Sequence, residues 1–96
     1  MNFAFYGLDK PGALQLRLDT RPTHLEHLKN PPAGVVVRVA SPQLDEEGKP
    51  KGSLVVFEAP DLAAAQAFCD ADPYAKVDLF ASTEIIPLND AAFSWP

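Results

Sequence analysis

Residues 35–58 read VVVRVASPQLDEEGKPKGSLVVFE and contain two segments rich in β-branched side chains, 35–40 and 53–58. Residues of this kind favour extended strands, and the run between them is polar and contains Pro and Gly. We therefore expect an antiparallel pair of strands, with residues 42–52 as a long mobile hairpin loop. We interpret the acidic run 45–47 as a solvated surface and not as a metal site.

The segment before this pair predicts one strand and a helical region. Residues 2–8 are apolar and aromatic at alternate positions on both faces, which is typical of a strand covered on both sides. Leucines at helical spacing follow a turn, and Pro22 is expected to interrupt that helix. Thr20 or Arg21 would then cap a fresh helical segment, which ends near Asn30.

The segment after the pair completes a recognisable order of elements. Asp61 suits a helix N-cap, and strong helix formers follow from 62 to 69. A short turn or helix is expected from 73 to about 78, and a last strand from 80 to 88. The order β-α-β-β-α-β is that of the α+β ferredoxin-like fold, an antiparallel sheet with both helices on one face. The chain after this strand, to Trp95, carries no clear pattern.

Composition limits the classes of function. Ninety-six residues predict a single domain spanning 1–96. The net charge of -5 argues against nucleic acid and anionic membrane surfaces as partners. The single Cys69 cannot form an internal disulfide, and no signal peptide or apolar run of roughly 20 residues is visible. We expect a cytoplasmic protein without a membrane span.

The strands predict a homodimer. Segments 35–40 and 53–58 are apolar on both faces, although two helices can cover only one face of the sheet. Large exposed apolar patches on soluble proteins usually mark interfaces. We therefore expect two copies to associate through their sheet faces.

His24 is the first candidate for chemistry. One side of its helix carries Arg21, His24, Leu25 and Leu28, because the helix advances about 100° per residue. A polar group on a buried side needs a partner, and an imidazole is suited to proton transfer. From the residues alone, His24 is either a proton-transfer group or a hydrogen-bonded histidine at the core edge or surface.

Asp72 is a further candidate for chemistry. A carboxylate can fix the tautomer of an imidazole and stabilise its charged form. Asp72 also precedes Pro73, a residue that suits the first position of a helix, so Asp72 is equally suited to be an N-cap. The two roles are compatible.

Arg21 has two possible roles. Its planar guanidinium could bind an anionic substrate through paired hydrogen bonds. Alternatively, it could form a structural salt bridge with Asp19, Asp72 or a chain end.

Three further side chains are candidates for substrate contact. Tyr74 and Tyr6 could line a cavity or pack as ordinary core aromatics. Ser41 could contribute a hydroxyl at the end of a strand. His24 and His27 show no third ligand at a metal-binding spacing, and no cofactor motif is present, so we expect neither a metal nor a cofactor.

Two motifs carry a family resemblance: RPTHL at 21–25 and DADPY at 70–74. Together they resemble the signature of the YCII-related family. The resemblance implies a dimeric ferredoxin-like α/β barrel in which His24 and Asp72 form a small-molecule active site. It also implies lyase-like or hydrolytic chemistry on a small aromatic or carboxylated molecule. The alternatives are a non-catalytic ligand-binding or structural homodimer, and a subunit of a larger assembly.

Overall fold

The computed structural model describes residues 1–90 and shows an α+β ferredoxin-like fold. Its elements are β1 (Asn2–Asp9), α1 (Leu14–Lys29), β2 (Val36–Leu44), β3 (Pro50–Glu58), α2 (Leu62–Asp70), α3 (Pro73–Lys76) and β4 (Phe80–Leu88). The strands form one antiparallel sheet in the order β2-β3-β1-β4. The predicted fold class and element order are thus confirmed, and the segment with Trp95 lies outside the described residues.

The core lies on one face of the sheet. Successive side chains of a strand point to opposite faces, so Phe3 and Phe5 of β1 share a face. Phe3 is opposite Phe57 of β3, with ring centroids 5.9 Å apart, and Phe68 of α2 lies 5.2 Å from Phe57. Burial of these aromatic rings holds the helices against the sheet.

The other face of the sheet, which we call the open face, remains largely apolar and partly exposed. Tyr6 of β1 pairs with Leu54 of β3 there. Tyr6, Val39 and Ile86 are 40%, 48% and 38% exposed, respectively. None of the helices within residues 1–90 covers these residues, in agreement with the prediction of an uncovered apolar face.

The prediction that Pro22 interrupts the first helix is wrong. α1 runs unbroken through Pro22, and Thr20 does not cap a new segment, because its hydroxyl donates to the Leu16 carbonyl at 2.8 Å. Pro22 has no backbone N–H to donate to the carbonyl of Leu18. Leu18 lies on the exposed side of α1, so water can donate to that carbonyl instead. Thr20, before Pro22, and His24, after it, are both buried, and this packing favours one continuous helix.

The hairpin loop is shorter than predicted. β2 extends to Leu44 and β3 starts at Pro50, so only residues 45–49 remain between them. Asp45 closes this turn, because its carboxylate accepts hydrogen bonds from the amides of Glu47 and Lys49 at 2.8 and 2.9 Å. These bonds hold the acidic run in a tight turn.

The caps predicted at Asp61 and Asp72 are both present. Asp61 accepts a hydrogen bond from the amide of Ala64 at 2.8 Å and caps α2. Asp72 caps α3 in the same manner, with Pro73 in the first turn. Within residues 1–90, no helix is long and apolar enough to cross a membrane.

Candidate functional site

A cavity of about 320 Å³ lies between α1 and the strands β2 and β3. The helix contributes Arg17, Leu18, Arg21, His24, Leu25 and Leu28. The strands contribute Ala40, Ser41, Pro42, Pro50, Ser53 and Val55, and Tyr74 of α3 completes the lining. The volume is at the lower end of the range for small-molecule sites. The predicted side of α1 is therefore the one that faces the cavity.

His24 lines this cavity and pairs with Asp72, which does not itself line it. Nδ1 of His24 lies 2.9 and 2.8 Å from the two carboxylate oxygens of Asp72. The side chains are only 10% and 14% exposed, so little water weakens their interaction. Because a carboxylate only accepts, Nδ1–H donates and the lone pair of neutral His24 lies at Nε2.

Asp72 also has the capping role that the sequence left open. Its Oδ1 accepts a hydrogen bond from the amide of Tyr74 at 2.9 Å. The ring of Tyr74 in turn stacks on His24, with centroids 4.0 Å apart and an interplanar angle of 17°. One carboxylate thus positions the imidazole and the aromatic ring that lies against it.

Arg17 is a site residue that the sequence analysis missed. It is 3% exposed and forms two hydrogen bonds with Asp9, Nε to Oδ2 at 2.6 Å and Nη2 to Oδ1 at 2.9 Å. Nη2 also donates to the Ser53 hydroxyl at 2.7 Å. The guanidinium carbon lies 4.5 Å from the ring centroid of Tyr74, within cation–π distance.

Arg21 lines the same cavity but forms no ion pair with Asp19 or Asp72. Asp72 is paired with His24, and Asp19 accepts a hydrogen bond from Gln15 at 2.8 Å. The carboxyl end of the chain lies outside the described residues. The guanidinium of Arg21 has no hydrogen-bond partner among residues 1–90, which leaves it accessible to a ligand.

Ser41 and Tyr6 differ in their relation to the cavity. Ser41 lies at its edge, but its hydroxyl donates to the carbonyl of Pro42 at 3.0 Å. Tyr6 does not line the cavity: it lies on the open face, where its register partners are Leu54 and Glu84. Strand alternation directs its ring away from α1, so contact of Tyr6 with a substrate stays a prediction.

The remaining histidine and cysteine are held by other contacts. Nε2 of His27 donates to the carbonyl of Phe68 at 2.9 Å, and its ring stacks on that of Phe68. Burial raises the pKa of the Cys69 thiol to about 12, and Asp72 and Asp70 add to this rise. No group of three or more His, Cys, Asp or Glu side chains in the described part of the chain could hold a metal.

Burial also raises the pKa of Tyr74 above its usual value. The nearby Arg17 guanidinium opposes this rise, and the Asp72 carboxylate adds to it. The phenol therefore keeps its proton at neutral pH and remains a hydrogen-bond donor.

The fold and the site define a small ferredoxin-like protein with a His–Asp pair at a cavity. The chain belongs to the YCII-related family, since the family model of the YCII-related domain matches residues 1–89. Protein YciI from Escherichia coli O6:H1 (strain CFT073) is 31% identical over 95 residues, which cover 93% of this chain and 97% of that protein. Protein YciI from Shigella flexneri is similar to the same extent.

Solved structures show the same fold. 5-chloro-2-hydroxyhydroquinone dehydrochlorinase (TftG) from Burkholderia phenoliruptrix AC1100, in complex with 2,5-dihydroxybenzoquinone, is 31% identical. It superimposes with a TM-score of 0.81, covering 93% of this chain and 94% of that chain. A putative antibiotic biosynthesis monooxygenase from Bacteriodes thetaiotaomicron is 18% identical with a TM-score of 0.60, covering 93% and 87% of the two chains, and shares the fold alone.

Proposed function

We propose that this protein is a small-molecule enzyme in which His24 and Asp72 perform acid–base chemistry of the lyase type. The observation that carries the proposal is the orientation of His24 at the cavity. Nδ1 of His24 is held by Asp72, and Nε2 has no partner among the described residues. A base oriented by a carboxylate and open to a cavity is the arrangement that proton transfer needs.

The charges around the cavity favour a substrate that becomes negative during the reaction. With His24 neutral, the carboxylates of Asp9 and Asp72 balance the guanidinium groups of Arg17 and Arg21. When His24 takes a proton from the substrate, the surroundings gain one positive charge and the substrate gains one negative charge. Opposite charges formed together beside the buried His24 attract each other, which lowers the barrier.

This arrangement supports a lyase-type reaction. His24 Nε2 accepts a hydroxyl proton and returns it to the ring carbon that carries the leaving group, which converts the hydroxyl to a carbonyl. His24 then accepts the proton of a second hydroxyl, whose electron pair forms a second C=O bond as the leaving group departs with its bonding pair. Similarity to a dehydrochlorinase, which shares 31% identity and most of its length, supports this reaction class. A small molecule with an acidic hydroxyl on an unsaturated ring, with Arg21 near its negative charge, is the substrate class that we propose.

We further propose that the working unit is a homodimer joined through the open face. Tyr6, Val39 and Ile86 are exposed there together with the half-buried Leu54 and Val56. Covering this patch against a second copy would remove apolar surface from water, the main favourable term in association.

Chloride release from 5-chloro-2-hydroxyhydroquinone tests the proposed function. We expect the wild type to release chloride and His24→Gln to be slower in kcat by about 10²-fold or more. His27→Gln is the matched control, because His27 lies on the same helix but outside the cavity, and it should retain activity. Binding of 2,5-dihydroxybenzoquinone without chloride release would instead indicate a non-catalytic binding protein. Undiminished release by His24→Gln would eliminate His24 as the base.

A further inference from the structure

The helix wall of the cavity changes in character along α1. Arg17 and Arg21 line the cavity in the part of α1 that precedes His24. After His24, α1 contributes Leu25 and Leu28 to the lining. Leu28 lies about 6 Å beyond His24 along the helix axis, which is one further turn. The helix wall is therefore charged before His24 and apolar after it.

The sheet wall changes in the same direction. Ser53 of β3 lines the cavity beside Arg17, from which its hydroxyl accepts a hydrogen bond at 2.7 Å. Val55 lies on the same face of the sheet, about 7 Å further along the strand, and pairs with Ala40 of β2. One end of the cavity, which we call the apolar end, is thus formed by Leu25, Leu28, Ala40 and Val55.

A small void lies behind the apolar end. Leu28 and Val55 also line a second space of about 10 Å³, whose other lining residues include Phe5 and Phe68 of the core. The shared void shows that Leu28 and Val55 are close together, although they belong to different elements. It also leaves Leu28 less tightly packed on its far side, so this side chain can yield slightly to a group in the cavity.

The leaving group of the proposed reaction does not suit the apolar end. It departs with its bonding pair as an anion, and an anion that lacks hydrogen-bond donors or water is strongly disfavoured. The side chains of the apolar end have no N–H or O–H group to offer. They suit a group that stays uncharged throughout the reaction, because contact with them removes apolar surface from water.

We propose that the apolar end is a subsite for an apolar substituent that the substrate keeps through the reaction. This inference rests on the proposed function and narrows its substrate class to hydroxylated unsaturated rings that bear a retained alkyl or halogen group. The substituent positions the ring, because the reverse orientation would place the apolar group beside Arg17 and Arg21. It thereby selects which edge of the ring faces His24.

Two derivatives of 2,5-dihydroxybenzoquinone, the parent ring, test the subsite. The two hydrogen-bearing carbons of the parent ring are equivalent, so a single substituent has one possible position. Calorimetry should show that the methyl derivative binds the wild type about fourfold more tightly than the parent ring, because one methyl group is buried. The hydroxymethyl derivative should bind no more tightly than the parent ring, since its hydroxyl loses hydrogen bonds to water.

Matched variants locate the substituent. Ala40→Leu fills the apolar end, so this variant should bind the methyl derivative more weakly than the parent ring. Ala81→Leu is the control and should keep the fourfold preference, because Ala81 is exposed on β4, the opposite edge strand of the sheet. In the wild type, nuclear Overhauser contacts should join the ligand methyl group to the methyl groups of Leu28 and Val55.

The outcomes separate this subsite from the proposed function. Equal affinity of the wild type for the parent ring and its methyl derivative, or bound methyl derivative without contacts to Leu28, would overturn the subsite and leave the role of His24 standing. A fourfold preference that survives in Ala40→Leu would also overturn it, because the methyl group would then lie elsewhere. Failure of the wild type to bind any of these rings would overturn both the subsite and the proposed function.

Discussion

The carboxylate of Asp72 lies 2.8 Å from Nδ1 of His24, although the two residues are 48 positions apart in the chain. The same carboxylate caps α3 through the amide of Tyr74. Formation of the cap therefore brings the acid to the imidazole and the Tyr74 ring onto it. Asp72, which is a local sequence signal for the start of a helix, is thus also part of the candidate site.

Substitution of Asp72 should separate its two roles. Asp72→Asn keeps a good N-cap but removes the charge, so we expect little loss of stability and a shift of neutral His24 away from the Nδ1–H tautomer. Asp72→Ala should show the same tautomer change and also unfold with about 1 kcal/mol less free energy, because the cap is lost. Nitrogen-15 NMR of the histidine rings and urea unfolding measure the two effects.

An unchanged His24 tautomer in folded Asp72→Asn would mean that the carboxylate does not orient the imidazole. His27 supplies the internal control, since the carbonyl of Phe68 fixes its Nε2–H tautomer in both variants.

The open face should mediate dimerisation. Ile86→Lys places a charge among the apolar residues of that face and should shift the protein toward monomer at micromolar concentration, as measured by sedimentation velocity. Leu62→Lys is the control, because Leu62 is 53% exposed on α2, on the other side of the sheet. A wild type that sediments as a monomer at these concentrations would contradict the proposed dimer.

Cys69 should be unreactive in the folded protein. With its pKa raised to about 12, the thiolate that reacts with alkylating reagents is scarce at pH 8. Iodoacetamide should modify native Cys69 at least about 10²-fold more slowly than it modifies the thiol of glutathione. In denaturant, Cys69 should react at the same rate as glutathione. Rapid modification under native conditions would mean that the packing around α2 is looser than described.

Stability should fall in alkaline solution. The folded Cys69 thiol keeps its proton up to about pH 12, whereas the unfolded thiol loses it near 9.0. Between these values the folded state binds more protons, so the free energy of unfolding decreases as pH rises. Urea unfolding at several pH values should show a smaller decrease for Cys69→Ala. An equal decrease would assign the effect to other groups, of which Tyr74, with its raised pKa, is the first candidate.

The sequence predicted the fold because its local signals agree with one another. β-branched strands, the cap at Asp61 and the order of elements all indicate one ferredoxin-like arrangement. The pairing of His24 with Asp72 came from a family resemblance, since spacing alone cannot bring together residues on separate elements. The structure then placed the two side chains within hydrogen-bond distance.

Two features were not predicted, and each has a physical cause. Arg17 lies one helical turn before Arg21 on the same side of α1, so helical spacing could have found it. Treating Pro22 as a break separated Arg17 from His24, because tertiary packing that stabilises a proline-containing helix is not visible in sequence. The face on which Tyr6 lies was left open because β1 is apolar on both faces, although alternation from Phe3 and Phe5 assigns it to the open face.

The most direct test of the central claim is a titration of the nitrogen-15-labelled histidine rings with 2,5-dihydroxybenzoquinone. We expect Nε2 of His24 to contact the ligand, whereas His27 lies against Phe68, outside the cavity. We predict a saturable shift of the His24 Nε2 resonance, with the His27 resonances unchanged. Saturable binding that leaves His24 unmoved, or no binding at all, would contradict the assignment of this cavity as a small-molecule site served by His24.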